Sequence, residues 1–182
     1  YSMPYVQGET LRERLKHERC LPLADAIRIA REVASALHYA HGAGYMHRDV
    51  KPDNIMVSAK DDVLLADFGI ARPLGRADGV DGVADSAPAR AMPATTTTGF
   101  VVGSPQYMSP EQVGGDASLD ARTDQYSLGT VLYEMLAGET PFGGRSAGAV
   151  VTKMFASAAP SVRELRPDVP VPVDGAITRA LS

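Results

Sequence analysis

Two short polar segments, separated by a predicted β-hairpin, constrain the fold of this chain more than any other feature. HRDVKPDN occupies positions 47–54, and DFG occupies positions 67–69. Between them, apolar runs at 55–57 and 63–66 flank a turn-forming segment at 59–62, a pattern that predicts two antiparallel strands. A hairpin brings its two ends together, so polar side chains before the first strand and after the second are expected to lie side by side.

The residue types in these segments suit the transfer of a phosphoryl group. This reaction needs metal ligands, neutralisation of charge and an oriented hydroxyl more than covalent chemistry from the protein. Asp67 and Asn54 offer the oxygen atoms that Mg²⁺ prefers. Asp49 can accept a hydrogen bond from an attacking hydroxyl, and the ammonium of Lys51 can reach the same phosphoryl group.

The rest of the chain is predicted to be mostly helical. Thr10 and Glu13 have capping-box spacing at the start of a short helix. Apolar residues recur at helical spacing over 23–41, over a strongly apolar helix capped by Thr123 or Asp124 and ended by Gly138, over 146–158, and from about 173. Segment 75–98 is rich in Ala, Gly, Asp, Pro and Thr, and is predicted to be a loop.

Composition is that of an ordinary globular protein, with 45% hydrophobic and 22% charged residues. A net charge of −4 argues against a nucleic-acid partner. The sequence has no apolar run of membrane-spanning length and no signal peptide, and its single cysteine excludes an internal disulfide. A cytoplasmic location is therefore expected for this domain, with a membrane anchor elsewhere in the full-length protein left open. Surface or packing roles are predicted for His17, His38 and His41. A solvated helix face is predicted for Arg12, Arg14, Lys16 and Arg19.

A third segment, GSPQYMSPEQ at 103–112, follows the first two in order. Together they resemble the catalytic, metal-binding and substrate-side loops of eukaryotic-type protein kinases. YVQGETLRERL and MHRDVKPDNIMV are most similar to the bacterial Hanks-type serine/threonine kinases. The resemblance implies a mainly α, protein-kinase-like α+β fold: a large helical C-terminal lobe with a small β-hairpin, without the N-terminal lobe. Residues 1–182 would be a partial kinase domain, with an inter-lobe hinge at 1–9, the lobe at 10–182 and an activation segment at 67–111.

The resemblance also implies roles for the polar residues at the reaction centre, with ATP and Mg²⁺ or Mn²⁺ as cofactors. Asp49 would be the catalytic base or hydroxyl orienter, and Lys51 would contact the γ-phosphate. Asn54 and Asp67 would hold the metal. Ser104 stands where these kinases usually have threonine, and its hydroxyl could bond Asp49 and Lys51. Lys51 at this place is typical of kinases that act on serine and threonine of protein substrates.

Structural roles follow from the same resemblance. His47 and Phe68, the latter followed by Gly69, would stack in a hydrophobic spine. Asp124 would accept hydrogen bonds from the backbone of the catalytic loop and hold it rigid. Glu111 would pair with an arginine beyond the end of this sequence, and is expected to be partly solvated or protonated without it.

The first residues resemble the connector between the two kinase lobes, which implies a nucleotide site. Met3 would lie behind the adenine, and the backbone of Pro4 and Val6 would bond its edge. Glu9 would reach the ribose, and Met56 would pack under the adenine.

Regulation by phosphorylation is a further implication. An arginine before the catalytic aspartate, here Arg48, often binds a phosphate on the activation loop in this family. Thr96 or Thr98 is the expected autophosphorylation site, because their distance from Gly103 is similar to that of the family's phosphosites. A phosphothreonine carries charge and acceptors that suit an arginine. A dimer is possible for trans-autophosphorylation.

The sequence lacks a glycine-rich phosphate loop, a VAIK-like lysine and its partner glutamate, begins without methionine and stops within a predicted helix. We therefore expect a fragment without useful activity of its own. Two alternatives remain open: a pseudokinase or scaffold that binds without transfer, and a small-molecule phosphotransferase of the antibiotic-kinase type. The four catalytic and metal-binding side chains argue against the first, and Arg48 with the GSPQYMSPEQ segment argues against the second.

Overall fold

The computed structural model describes residues 8–68, 72–73, 104–116 and 118–182. Within these ranges helices dominate, and five short strands accompany them. In chain order the elements are β1 (Gly8–Thr10), α1 (Leu11–Glu18), α2 (Leu23–Gly42), β2 (Tyr45–Met46), a 3₁₀ turn (Pro52–Asn54), β3 (Ile55–Ser58), β4 (Val63–Leu65), β5 (Arg72–Pro73), α3 (Pro110–Gly114), α4 (Arg122–Ala137), α5 (Ala147–Ala156), a 3₁₀ turn (Val162–Glu164) and α6 (Val171–Ala180). The predicted fold class, mainly α with a small sheet, is confirmed.

The predicted hairpin is present as β3 and β4, with Ile55 opposite Leu65. The sequence did not predict that β1 adds a third strand, giving the antiparallel order β1–β3–β4. A Cβ atom at Gly8 would lie 2.3 Å from the carbonyl oxygen of Val57, so this close approach requires glycine. A second antiparallel pair joins β2, which precedes the catalytic loop, to β5, which follows the DFG segment.

Helix α1 begins with the predicted capping box. The backbone N–H of Glu13 donates to the Thr10 hydroxyl over 3.1 Å, and the Glu13 carboxylate accepts from the Thr10 backbone N–H over 2.8 Å. These reciprocal bonds satisfy backbone donors that the first turn of a helix cannot satisfy itself. The helix therefore starts directly after the chain leaves strand β1.

Helix α4 forms the centre of the lobe and is buried on most faces, as its apolar sequence predicts. It packs against α2 and α6. The predicted cap is wrong: the helix begins after Ala121, which makes no side-chain capping bond. The carboxylate of Asp124 instead turns toward the loop before β3. Gly138 ends the helix in a left-handed conformation, with φ of 79°.

The last helices match the predicted positions within a few residues. Ser146 caps α5, where its hydroxyl accepts from the backbone N–H of Ala149. Helix α6 begins at Val171, slightly before the predicted start near 173. Within the described ranges, no helix is long and apolar enough to cross a membrane. The predicted loop at 75–98 lies outside the described residues.

Candidate active site

The catalytic loop runs from β2 to β3 and ends in a 3₁₀ turn that positions Asn54. Pro52 provides a fixed φ at the first position of this turn, and the Asn54 backbone N–H donates to the Lys51 carbonyl over 3.0 Å. Asn54 is buried and lies directly before β3. The strand therefore fixes the end of the loop on which the polar residues sit.

Asp49 lies at the centre of a compact hydrogen-bond cluster. Lys51 Nζ donates to Asp49 Oδ2 over 2.7 Å, and Asn54 Nδ2 donates to the same oxygen over 2.9 Å. The Asn54 amide also donates to the backbone carbonyl of Asp49 over 2.8 Å. In the part of the chain that the structure describes, no donor bonds Asp49 Oδ1. The carboxylate is thus held by one oxygen, and the other is the acceptor suited to a substrate hydroxyl.

The two predicted metal ligands are held together by the sheet. The backbone N–H of Ala66, the residue before Asp67, donates to the Asn54 carbonyl over 2.8 Å. Since the Asn54 amide nitrogen serves Asp49, its side-chain oxygen is the atom available to a cation. Among the described residues no cluster of three or more His, Cys, Asp or Glu could hold a metal. An amide oxygen and one carboxylate fit Mg²⁺ bound jointly with nucleotide phosphates.

Two of the four non-glycine residues with positive φ in the described ranges lie at this site. Arg48 and Asp67 both have φ of 67°, in the left-handed region that favours glycine. Non-glycine residues persist there only when their surroundings determine the conformation, at a cost of about 1–3 kcal/mol each. At the site, the strained positions are therefore the residue before Asp49 and one predicted metal ligand.

Asp124 anchors the catalytic loop to α4, as the resemblance implies. Its fully buried carboxylate accepts from the backbone N–H of His47 over 2.9 Å and from that of Arg48 over 2.7 Å. His41 Nε2, on α2, lies 2.8 Å from the same carboxylate. The prediction of a surface or packing role for His41 therefore missed a polar contact with the anchor.

His47 and Phe68 make the predicted ring contact, with centroids 4.5 Å apart and planes at 66°. His47 Nε2 also lies 2.9 Å from the Ala66 carbonyl oxygen. Phe68 remains 39% exposed, and it lines a cavity of about 940 Å³ with Tyr39 and Tyr45. The described residues therefore cover Phe68 only in part.

The register of the sheet places two of the predicted nucleotide-binding residues on different faces. Glu9 lies opposite Val57, and Met56 lies opposite Thr10. Because neighbouring residues of a strand point to opposite faces, Glu9 and Met56 project from different faces of the sheet. A joint contact of these two with one nucleotide stays a prediction. The other predicted residues of the site that lie outside the described ranges are Met3, Pro4, Val6, Gly69, Thr96 and Thr98.

Ser104 and Glu111, both in the third segment, were each given a predicted contact. The Ser104 carbonyl accepts from the Tyr107 N–H over 3.1 Å. The Ser104 hydroxyl makes no bond to Asp49 or Lys51 within the described residues. Glu111 is half-buried and accepts a hydrogen bond from the Thr123 hydroxyl over 2.9 Å. Its expected partial solvation agrees with this exposure.

A partly buried ionic network was missed by the sequence analysis, which assigned Arg12 to a solvated helix face. Arg12 Nη1 donates to Glu134 Oε1 over 2.8 Å, and Arg12 also bonds the Tyr107 hydroxyl. That hydroxyl donates to Glu134 Oε2 over 2.6 Å. Arg12 and Glu134 are 122 positions apart, so no local pattern could have shown their contact.

The network shifts two pKa values upward. Burial, reinforced by Glu134, raises the pKa of Tyr107. Burial alone would lower the pKa of Arg12, but its bonds to Glu134 and Tyr107 raise that pKa overall. Both shifts keep the arginine charged and the phenol neutral at physiological pH. The network therefore joins α1, α4 and the third segment as a fixed unit.

Comparison with known proteins agrees with this geometry. The family model described as protein kinase domain matches residues 1–172. The chain belongs to the protein kinase domain family.

Its relatives include bacterial serine/threonine kinases. The chain is 47% identical to serine/threonine-protein kinase PknB of Mycobacterium leprae over 144 residues, which cover 79% of the chain and 21% of that protein. It is 41% identical to serine/threonine-protein kinase pkn3 of Myxococcus xanthus over 187 residues, covering 100% of the chain and 32% of that protein. The identity to probable serine/threonine-protein kinase PknB of Lactococcus lactis is 35% over 178 residues, covering 98% and 26%. The chain thus spans a fifth to a third of the length of these relatives.

Proposed function

We propose that this chain is the C-terminal lobe of a serine/threonine protein kinase, which in the full-length protein transfers the γ-phosphate of ATP to hydroxyls of proteins. The observation that carries the proposal is the Asp49 carboxylate, held through one oxygen by Lys51 and Asn54. Within the proposed kinase domain, residues 1–9 would form the hinge, 10–182 the lobe and 67–111 the activation segment. Protein kinases as a family use ATP and a divalent metal ion, and the donor set at Asn54 and Asp67 suits such an ion.

In this proposal each polar residue has a distinct task. Asp49 accepts a hydrogen bond, and then the proton, from a serine or threonine hydroxyl whose oxygen bonds to the γ-phosphorus as the bond to ADP breaks. Lys51, fixed 2.7 Å from Asp49, neutralises charge on the transferring group. A bound Mg²⁺ supplies further charge neutralisation, and Asn54 and Asp67 are the residues that would hold it.

Nucleotide contacts and regulation complete the proposal. Met3, Pro4, Val6 and Met56 would contact the adenine, and Glu9, which projects from the other face of the sheet, would contact the ribose. In the activation segment, a phosphate on Thr96 or Thr98 would be bound by Arg48, because a phosphothreonine brings strong acceptors and negative charge to an arginine. A transient dimer of two copies would permit phosphorylation in trans.

The test is phosphate transfer by the full-length protein, comparing wild type with Asp49→Asn. Asparagine keeps the shape of Asp49 but cannot accept the proton, so we expect kcat to fall by roughly 10²–10⁴-fold, the usual contribution of a general base. Binding of a fluorescent ATP analogue should remain within about twofold of wild type, because Asp49 is assigned to the hydroxyl and not to the nucleotide.

The matched control is Asp61→Asn, the same chemical change on the exposed hairpin turn, where asparagine tolerates the observed φ of 66°. It should retain wild-type transfer. Protein and peptide acceptors are assayed beside aminoglycosides. Wild-type turnover in Asp49→Asn would contradict the proposed chemistry. Transfer to aminoglycosides but not to proteins would indicate the small-molecule enzyme, and nucleotide binding without any transfer would indicate a pseudokinase.

A further inference from the structure

The side chain of Gln112 connects helix α3 to the residue that precedes Asp49. Its Nε2 donates to the backbone carbonyl of Arg48 over 2.9 Å. Its Oε1 accepts from the backbone N–H of Ser109 over 3.0 Å. Gln112 and Arg48 are 64 positions apart, so the contact joins the substrate-side segment to the catalytic loop.

The contact is made to Arg48, a residue with a strained backbone whose N–H group is also held by a hydrogen bond. Arg48 has φ of 67°, and its own N–H donates to Asp124 Oδ1 over 2.7 Å. The N–H of this left-handed residue is thus held by α4, and its carbonyl is held by α3. A left-handed non-glycine conformation needs such outside support to persist. The Arg48 carbonyl belongs to the peptide group that leads directly into Asp49, so its orientation sets the direction in which Asp49 leaves the backbone.

We propose that Gln112 is a positioning residue for Asp49: by holding the Arg48 carbonyl it fixes the peptide plane from which the Asp49 side chain projects. The proposal rests on the proposed kinase function of this site. It means that the segment beside the protein substrate and the group that receives the substrate hydroxyl move together. Gln112 touches neither nucleotide nor acceptor in this role, and acts only through Arg48 and Asp49.

Capping of α3 does not account for this contact. Gln112 stands at the third helical position, where its side-chain oxygen completes a capping box with Ser109. Glutamate completes the same box equally well. Only an amide can also donate to the Arg48 carbonyl. Exchanging glutamine for glutamate therefore separates the two roles on a single side chain.

The experiment measures kcat, the KM values for ATP and peptide, and the melting temperature of full-length Gln112→Glu. We expect kcat to fall roughly tenfold, since small misplacements of reacting groups cost one to two orders of magnitude. Both KM values should stay within about twofold, because ground-state binding is not changed. The melting temperature should stay within about 2 °C of wild type, because the cap is retained.

Gln125→Glu, the same change at an exposed position of α4, is the control and should behave as wild type. Gln112→Ala removes both the capping bond of α3 and the bond to the Arg48 carbonyl, so it should lower kcat as well as the melting temperature. Wild-type kcat in Gln112→Glu would overturn the proposal, and if that variant does not fold, wild-type kcat in Gln112→Ala would do the same. Absence of transfer by the wild-type protein would instead refute the proposed function.

Discussion

Replacing Asp124 with asparagine removes a buried negative charge from the point where the catalytic loop meets α4. The carboxylate accepts from the N–H groups of His47 and Arg48 and lies within hydrogen-bond distance of His41. An asparagine side chain has one oxygen and one NH₂ group. Whichever way it turns, the NH₂ group must face at least one of these backbone N–H donors, and two donors cannot bond each other.

The magnitude follows from the bonds at Asp124. The substitution removes one charge-assisted hydrogen bond, worth about 1.5–3 kcal/mol, and leaves a buried N–H unsatisfied at a further cost of about 1–3 kcal/mol. Local relaxation recovers part of this, so we expect the free energy of unfolding to fall by about 3 kcal/mol. For a domain of this size each kcal/mol lowers the melting temperature by about 2–4 °C, which gives about 6–12 °C.

The assay is thermal unfolding of the full-length protein, with Asp120→Asn as control. Asp120 lies near the start of the same helix, is 48% exposed and bonds Arg122 at the surface. The control should therefore melt within about 2 °C of wild type, as expected for an exposed ion pair. If Asp124→Asn also melts within that range, Asp124 does not anchor the loop and the reasoning fails.

Two further predictions concern stability. Gly138→Ala should lower the free energy of unfolding by about 1–2 kcal/mol, measured by urea denaturation, because φ is 79° and a new Cβ would lie 2.9 Å from Cys20 Sγ; unchanged stability would show that the helix end adapts freely. Burial, together with the Glu111 charge, raises the pKa of Tyr126 to about 12, so the unfolded state releases this proton first and stability should fall as the pH rises from about 10 to 12. Tyr126→Phe should make that fall shallower, and an identical pH profile would contradict the assignment.

Local signals predicted a large part of the fold. The capping box of α1 joins residues three positions apart, and the hairpin places its strands next to each other in sequence, so both could be inferred from short stretches. The start of α4 could not, because Thr123 and Asp124 have the chemistry of capping residues but their side chains bond elsewhere. A side chain that suits several partners is assigned by tertiary packing, which one sequence does not display.

The site was predicted residue by residue from motif resemblance, and its supporting contacts were not. The bonds of Asp49 with Lys51 and Asn54 lie within one motif and follow from it. The bond from Gln112 to Arg48 and the ion pair of Arg12 with Glu134 join segments 64 and 122 positions apart. Such pairs depend on how the helices pack around α4. Residues proposed to carry chemistry could therefore be inferred from the sequence more easily than the residues that hold them.

The anchoring of the catalytic loop on α4 also determines how the site should respond to heat. The N–H groups of His47 and Arg48 are bonded to a carboxylate on the most buried helix, so the loop cannot detach while that helix stays packed. Small openings at loops and termini usually cost far less than unfolding the core. Because its two bonds reach the core helix, we expect this loop to open only together with the core. Heat should therefore abolish the active arrangement in the same transition that melts the lobe, without an earlier stage in which a folded protein has lost its catalytic geometry.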